Sequence, residues 1–342
     1  MRGAWRFQQF TKRLLPRAII LLYHRVAELL PDPQLLAVTP QHFAQHLEIL
    51  RNYGHPAQLK RIDEILRYRN IGHRTVIVTF DDGYADNLYN AKPLLERYEI
   101  PATVFVATGY TDNSREFSSD ELERVLLQPG TLPQMLRLTV DGKTHQWDLR
   151  EAARYSEEGF ERNRFWNVAD PENPTPRHLV YRSLHTLLRP LPPGDRRRAL
   201  DDLLNWAGVN CDSRPTHRAL SPDEVVRLAA GGLVDIGCHT VTHPVLSALP
   251  TAMQRREIIR SKTRLEEVLG QRVGTFAYPY GTRSDYSEET VTIVREAGFS
   301  LACSNFPGLV QRAVPLYELP RLLVRDWNGE EFARRLQDWF RA

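Results

Sequence analysis

A chain of 342 residues can bury a large core, and it suits one barrel-sized domain with an insertion better than several small domains. With 42% hydrophobic and 25% charged residues its composition is ordinary for a soluble globular protein, and a net charge of +3 is too small at this size to argue for a nucleic-acid partner. Three widely spaced cysteines, Cys211, Cys238 and Cys303, argue against a disulfide framework and fit reduced thiols packed as small apolar residues, which favours the cytoplasm.

The chain opens on a basic stretch, Arg2 to Arg17, in which Trp5 to Leu15 patterns as an amphipathic leader helix suited to peripheral membrane contact. The apolar run Ala18 to Leu22 is too short to span a membrane, lacks a small-residue cleavage site and continues into Tyr23-His24-Arg25-Val26. It reads as a first strand, so no transmembrane segment is expected here. Thr39 before Pro40 is a helix N-cap, with Phe43, Leu47 and Leu50 as the buried stripe. A short helix, Ile62 to Tyr68, precedes the β-branched run Thr75-Val76-Ile77-Val78-Thr79, which belongs inside a sheet. A helix over Asn87 to Tyr98 follows, with a boundary or kink at Pro93, and then a strand over Ala102 to Ala107.

From Tyr110 to Arg218 this alternation breaks. The stretch holds a hairpin signal, Leu136 to Val140 and Lys143 to Trp147 about Asp141-Gly142, and two helical patterns, Leu179 to Leu188 and Arg196 to Trp206. The arginine runs at Arg196 to Arg198 and at Arg255-Arg256 read as solvated helix faces. Alternation resumes with the Ser221 to Glu224 capping box, a strand over Val234 to Cys238 and a helix over Met253 to Leu269. Strands at Gly274 to Tyr278, Ser300 to Ser304 and Leu322 to Arg325, and helices at Glu288 to Ala297 and Gly329 to Phe340, complete the pattern. The expected fold is α/β: a distorted (β/α) barrel of about seven parallel strands, with residues 1–109 and 219–342 forming the barrel and 110–218 an inserted subdomain on the active-site side. Replacing that insertion by a short linker is expected to leave a folded barrel with altered substrate preference.

Asp81 and Asp82 follow the Thr75 to Thr79 run, and His239 and His243 follow Val234 to Cys238, so four chemistry-bearing side chains fall at strand C-termini, where barrels do chemistry. Asp-Asp-Gly alone reads as a turn with a helix cap, and a lone histidine pair as a surface coincidence. Their joint placement instead points to a hydrolytic metal site in which Asp82, His239 and His243 hold a divalent ion, most simply Zn2+, with positions left for water and substrate. A glycosyltransferase reading of the two aspartates leaves the histidines unexplained.

Thr79-Phe80-Asp81-Asp82-Gly83, His239-Thr240-Val241-Thr242-His243-Pro244 and Phe276-Ala277-Tyr278-Pro279-Tyr280-Gly281 together resemble the three ordered motifs of the polysaccharide deacetylases of the NodB homology group, the family 4 carbohydrate esterases. The resemblance runs from about Ile19 to the C-terminus, outside the insertion. It implies N-deacetylation of an N-acetylhexosamine-containing polysaccharide or lipid-linked glycan, with Asp81 as catalytic base and the Tyr280 backbone N–H as oxyanion donor. Ala277 departs from the family pattern, since many members carry there an arginine that pairs with the catalytic aspartate; Arg321 is the residue available to supply that charge. The late segment Leu319 to Arg325 lacks the family's general-acid histidine. His24 resembles a histidine near the site in exopolysaccharide-deacetylating members, and an imidazole with a pKa near about 6.5 suits protonation of the departing amine. A deformylase or other C–N hydrolase of this fold, and a barrel that binds glycan and metal without turnover, are the alternatives.

Overall fold

The computed structural model describes residues 18–67, 74–111 and 115–341. The leader Trp5 to Leu15 and the end of the short helix at Tyr68 lie outside the described residues.

Seven parallel strands build the scaffold: β1 (Ala18–Tyr23), β2 (Thr75–Phe80), β3 (Ala102–Val106), β4 (Val234–Cys238), β5 (Thr275–Ala277), β6 (Leu301–Cys303) and β7 (Leu322–Leu323). They pair in the order β6-β5-β4-β3-β2-β1-β7, and a two-residue strand, His55–Pro56, joins β2 at its start. β1 and β2 are buried along their whole length, as continuous apolar runs in a parallel sheet require. The sheet curls into a half-barrel whose edges β6 and β7 do not pair; the chain between them bridges the gap through Val310 to Ala18 and Leu319 to Ala302. The late strands are shorter than their apolar runs, because the ladder ends where the chain turns away: Val324 N–H still donates to Leu22 O, and Arg325 then reaches sideways to the carbonyls of Gln34 and Leu35.

Helices cover the outer face. Thr39 caps Pro40–Tyr53 by accepting from His42 N–H, and Phe43, Leu47 and Leu50 face the core. The segment read as one helix over Asn87 to Tyr98 is a π-helical turn, Asn87–Ala91, running into α-helix Lys92–Tyr98; Pro93, which has no N–H to donate, sits at the change. Ser221 and Glu224 form the expected capping box.

The inserted stretch has its own apolar core, in which Leu136 and Leu138 of the hairpin pack with Val180, Tyr181, Leu184 and Leu200, Leu203 of helices Pro176–Leu188 and Pro193–Ala207. Asp141 and Gly142 both adopt positive φ, the conformation a two-residue hairpin turn demands. Its junction with the barrel is intimate. Phe117 packs with Tyr84, Ala107 and Ala219, Tyr181 accepts from Gln34, and Arg189 forms an ion pair with Asp285. Arg196 departs from its expected place on a solvated face: it is 4% exposed and directed into the barrel mouth, because its guanidinium finds backbone carbonyls there.

Candidate active site

Asp81 N–H extends the β1–β2 ladder by donating to Tyr23 O at 3.0 Å, so the first aspartate is held at the rim of the barrel. Asp82 then turns to φ 75° and Gly83 to φ 80°, which reverses the chain. A left-handed L-residue costs about 1–2 kcal/mol, and Asp is among the side chains that bear it best. At Gly83 a Cβ would press on Val106 as well as demand that φ. Asp81 and Asp82 therefore sit next to each other in sequence yet do different things.

Asp81 is gripped by Arg321. The guanidinium donates to both carboxylate oxygens at 2.7 and 2.6 Å and to Ser304 O at 2.7 Å, in a pair with almost no solvent contact. Burial pushes the Asp81 carboxyl up, but Arg321 and then His239 pull it to a net position below the usual carboxylate range. Arg321 thus takes the place that Ala277 leaves empty.

Asp82 has no such partner. Its Oδ1 is buried without any hydrogen bond and faces His243 Nε2 at 3.3 Å and His239 Nε2 at 3.6 Å. The ligand atoms of these three residues lie within 4.8 Å of one another, and among the described residues they form the one group able to hold a metal ion. Burial first, then the charges of Asp81 and Asp120, drives the Asp82 carboxyl well above its ordinary value. Burial lowers both imidazoles, so each presents a neutral ring. His239 Nδ1 is 2.8 Å from Ala277 O, which only accepts; the proton is on Nδ1 and the Nε2 lone pair faces Asp82. Three donors bound to zinc at about 2.0–2.1 Å in a tetrahedral arrangement stand roughly 3.4 Å apart. The orphaned carboxylate oxygen, two neutral imidazoles and these separations fit a divalent cation.

The loop from His239 to His243 follows β4 and carries strain of its own, with Thr240 at φ 65° and His243 at φ 53°. Val241 and Thr242 N–H donate to the Glu257 carboxylate, and His243 N–H donates to the Thr240 hydroxyl. Tyr280 lies across the mouth at φ 59°, its ring 4.7 Å from that of His243 and beneath the Arg189 guanidinium at 4.4 Å. No carbonyl or carboxylate among the described residues accepts from the Tyr280 N–H. Phe117 of the insertion meets the His243 ring edge-on at 5.9 Å.

His24 stands just past β1, and its imidazole feels the charges of Asp81, Arg321, Arg325 and His239. Burial lowers it to about 4 despite Asp81, so it is neutral at rest near neutrality. The expectation that it holds a proton ready for the amine at a pKa near 6.5 is corrected by that burial. Sequence reasoning singled out Asp81, Asp82, His239, His243, Tyr280 and His24, and all six gather at one barrel mouth. It missed Arg196, Glu257, Arg189 and Phe117.

The missed four act through contacts distant in sequence, with no local pattern to mark them.

 The shortest of these contacts, Thr242 to Glu257, spans 15 positions, and the longest, Phe117 to His243, spans 126.

The family model described as polysaccharide deacetylase matches residues 69–169 and 205–302, more than half of the chain. The chain is 26% identical over 159 residues to the poly-beta-1,6-N-acetyl-D-glucosamine N-deacetylase of Staphylococcus epidermidis, a match that covers 42% of this chain and 53% of that enzyme, so it spans about half the length of this relative. Its fold is similar to that of the Streptococcus pyogenes deacetylase PplD, solved in complex with acetate, with a TM-score of 0.58 and 17% identity over 94% of this chain and 98% of that one. It is also similar to IcaB from Ammonifex degensii, with a TM-score of 0.54 and 21% identity over 96% and 98% of the two chains. The half-barrel, the three ordered motifs and the family match lead to one conclusion: the chain belongs to the polysaccharide deacetylase family, hydrolases that act on carbon–nitrogen bonds.

Proposed function

We propose that the protein is a metal-dependent N-deacetylase of an N-acetylhexosamine-containing polysaccharide or lipid-linked glycan. The observation that carries this reading is the buried, unpaired Asp82 Oδ1 facing two imidazole Nε2 atoms, beside an Asp81 held ionised by Arg321. The name of the staphylococcal relative supports an N-acetylglucosamine polymer as the substrate class. Asp82, His239 and His243 would hold the ion, and their two nitrogens and one oxygen favour Zn2+. When bound, such an ion supplies Lewis-acid polarisation of the acetamide carbonyl and a water acidified toward a pKa of about 7.

The chain's own residues do the rest. Asp81 accepts the proton of the attacking water; although both its oxygens are bonded to Arg321, each carboxylate oxygen has a second lone pair. As the carbonyl carbon becomes tetrahedral, the Tyr280 N–H donates to the developing oxyanion, a contribution worth about 3–4 kcal/mol for a preorganised donor. Cleavage of the C–N bond leaves acetate and an amine that needs a proton. The proton that Asp81 took from water passes to that amine through His24, which is neutral at rest and lies within the field of Asp81. His24→Gln is expected to lower kcat severalfold, with metal content and the alkaline limb of the pH profile unchanged, because a group titrating near 4 cannot shape that limb. A pH–rate series on parent and variant checks this, and an unaltered kcat would assign His24 to packing alone.

The decisive test pairs metal analysis with acetate release. Parent protein, EDTA-treated protein and His239→Ala are assayed on N-acetylglucosamine oligomers. About one zinc per parent chain, little in the variant, and acetate released only by the metal-loaded parent are expected. Equal metal content in parent and variant removes the ligand assignment, and formate release from an N-formyl sugar in place of acetate redirects the reaction.

For location, the unpaired Cys211, Cys238 and Cys303 support a reducing compartment such as the cytoplasm, and the basic leader supports peripheral membrane contact. Among the described residues no helix is long and apolar enough to cross a membrane.

A further inference from the structure

We infer that Arg196, a residue of the inserted segment, is a positioning residue for His243, so that the insertion is a working part of the metal centre. The inference rests on the reading of Asp82, His239 and His243 as the ligand set.

The two histidines are held by different means. His239 is fixed through its ring, because Nδ1 donates to Ala277 O. Among the described residues the His243 ring has no such bond to a carbonyl; it sits against Tyr280 and Phe117 and faces Asp82. Its place is therefore set by its backbone, which lies in the left-handed region. The polar groups of that backbone can be followed one by one. Thr240 O and Val241 O accept from Thr108 and Gly109 N–H, at 3.1 and 2.7 Å. Val241 and Thr242 N–H donate to Glu257. Thr242 O and His243 O remain, and both accept from Arg196, the latter at 3.1 Å. The barrel thus holds the start of the loop, and the insertion holds the end that carries the ligand.

Arg196 is suited to this task. It is nearly fully buried, and no carboxylate among the described residues pairs with it, so its guanidinium is committed to those two carbonyls. Hydrogen bonds from a charged donor are stronger than neutral ones, and the planar fork reaches two adjacent carbonyls together. Helix Pro193–Ala207 carries the arginine, and the same helix sends Ala199, Leu200, Leu203 and Leu204 into the insertion core. The arginine is therefore aimed by the whole subdomain. Phe117, also of the insertion, closes the edge of the His243 ring.

The test measures zinc affinity by chelator competition and the visible absorption of the Co2+-loaded protein, on the full chain. Arg196→Gln is expected to weaken zinc binding by about ten- to a hundredfold, as loss of groups that orient metal ligands commonly does. The Co2+ spectrum should change as well, with a cooperative melt retained. Arg196→Lys, which keeps the charge on a single ammonium, should recover part of the loss. Arg197→Gln removes the neighbouring guanidinium, which pairs with Glu121 and Asp201 and does not touch the loop, and should bind zinc as the parent does. Parent-like affinity and spectrum in Arg196→Gln overturn the inference, as does an equal loss in Arg196→Gln and Arg197→Gln. If Arg196→Gln fails to fold, Arg196→Lys is read in its place: an altered Co2+ spectrum supports the inference and a parent-like one overturns it. Asp82→Asn separates the two layers: parent-like zinc binding in that variant would remove the ligand reading itself, whatever Arg196 does.

Discussion

Asp81→Asn is expected to keep the metal and lose hydrolysis by about a hundred- to ten-thousandfold, the range in which general base catalysis contributes. The amide preserves the size of the side chain and one oxygen able to accept from Arg321, but it has no basic site for the proton of water. Zinc content near that of the parent, with kcat collapsed and KM little changed, is the expected signature. Because the proposed ligand set of Asp82, His239 and His243 leaves Asp81 out, the two properties should separate. An Asp81→Asn protein that turns over at the parent rate would place the base elsewhere.

Arg321→Leu is expected to cost about 3–5 kcal/mol of stability at neutral pH, because removing one partner of a buried ion pair leaves the other charge uncompensated. Asp81 would then keep the burial that raises its pKa and lose the principal charge that lowers it. In the parent the folded-state pKa is depressed, so the Asp81 pair contributes stability above the unfolded value near about 3.9 and loses it as pH falls through the lower folded value. In the variant the sign reverses: a carboxyl raised by burial destabilises at neutral pH and does so less as acid protonates it. The difference in stability between the two proteins should therefore shrink from pH 7 toward about pH 4, and the acid limb of kcat/KM should move to higher pH. Denaturant unfolding across that interval checks the first expectation, and a constant difference would show that Arg321 acts through packing alone.

How much of this was legible beforehand differs from element to element. The Thr75 to Phe80 strand and the Asp81-Asp82 pair could be read because a buried parallel strand is a continuous apolar run, and two acids at its end have no use in a sheet. The Thr39 cap, the Ser221 capping box and the Asp141-Gly142 turn are chemistry within four residues and were equally visible. The late strands were read too long, since an apolar run continues after its ladder partner has ended.

Local and periodic patterning therefore carries the alternation of strands and helices, and the placing of Asp81, Asp82, His239 and His243 at strand ends. The division of labour among those residues comes from contacts between distant parts of the chain. Arg321 binds Asp81 and leaves Asp82 unpaired, and that single contact separates the ionised carboxylate from the orphaned one. Burial turns His24 from an imidazole of ordinary pKa into one neutral at rest. The Arg196 to Arg198 run shows the limit most plainly: adjacent residues on one helix point in different directions, so Arg198 is exposed while Arg196 reaches the carbonyl of His243. Composition records only that three cations are present. Which of them finds a buried acceptor is set by how the insertion packs on the barrel, a long-range property that no window of neighbouring residues contains.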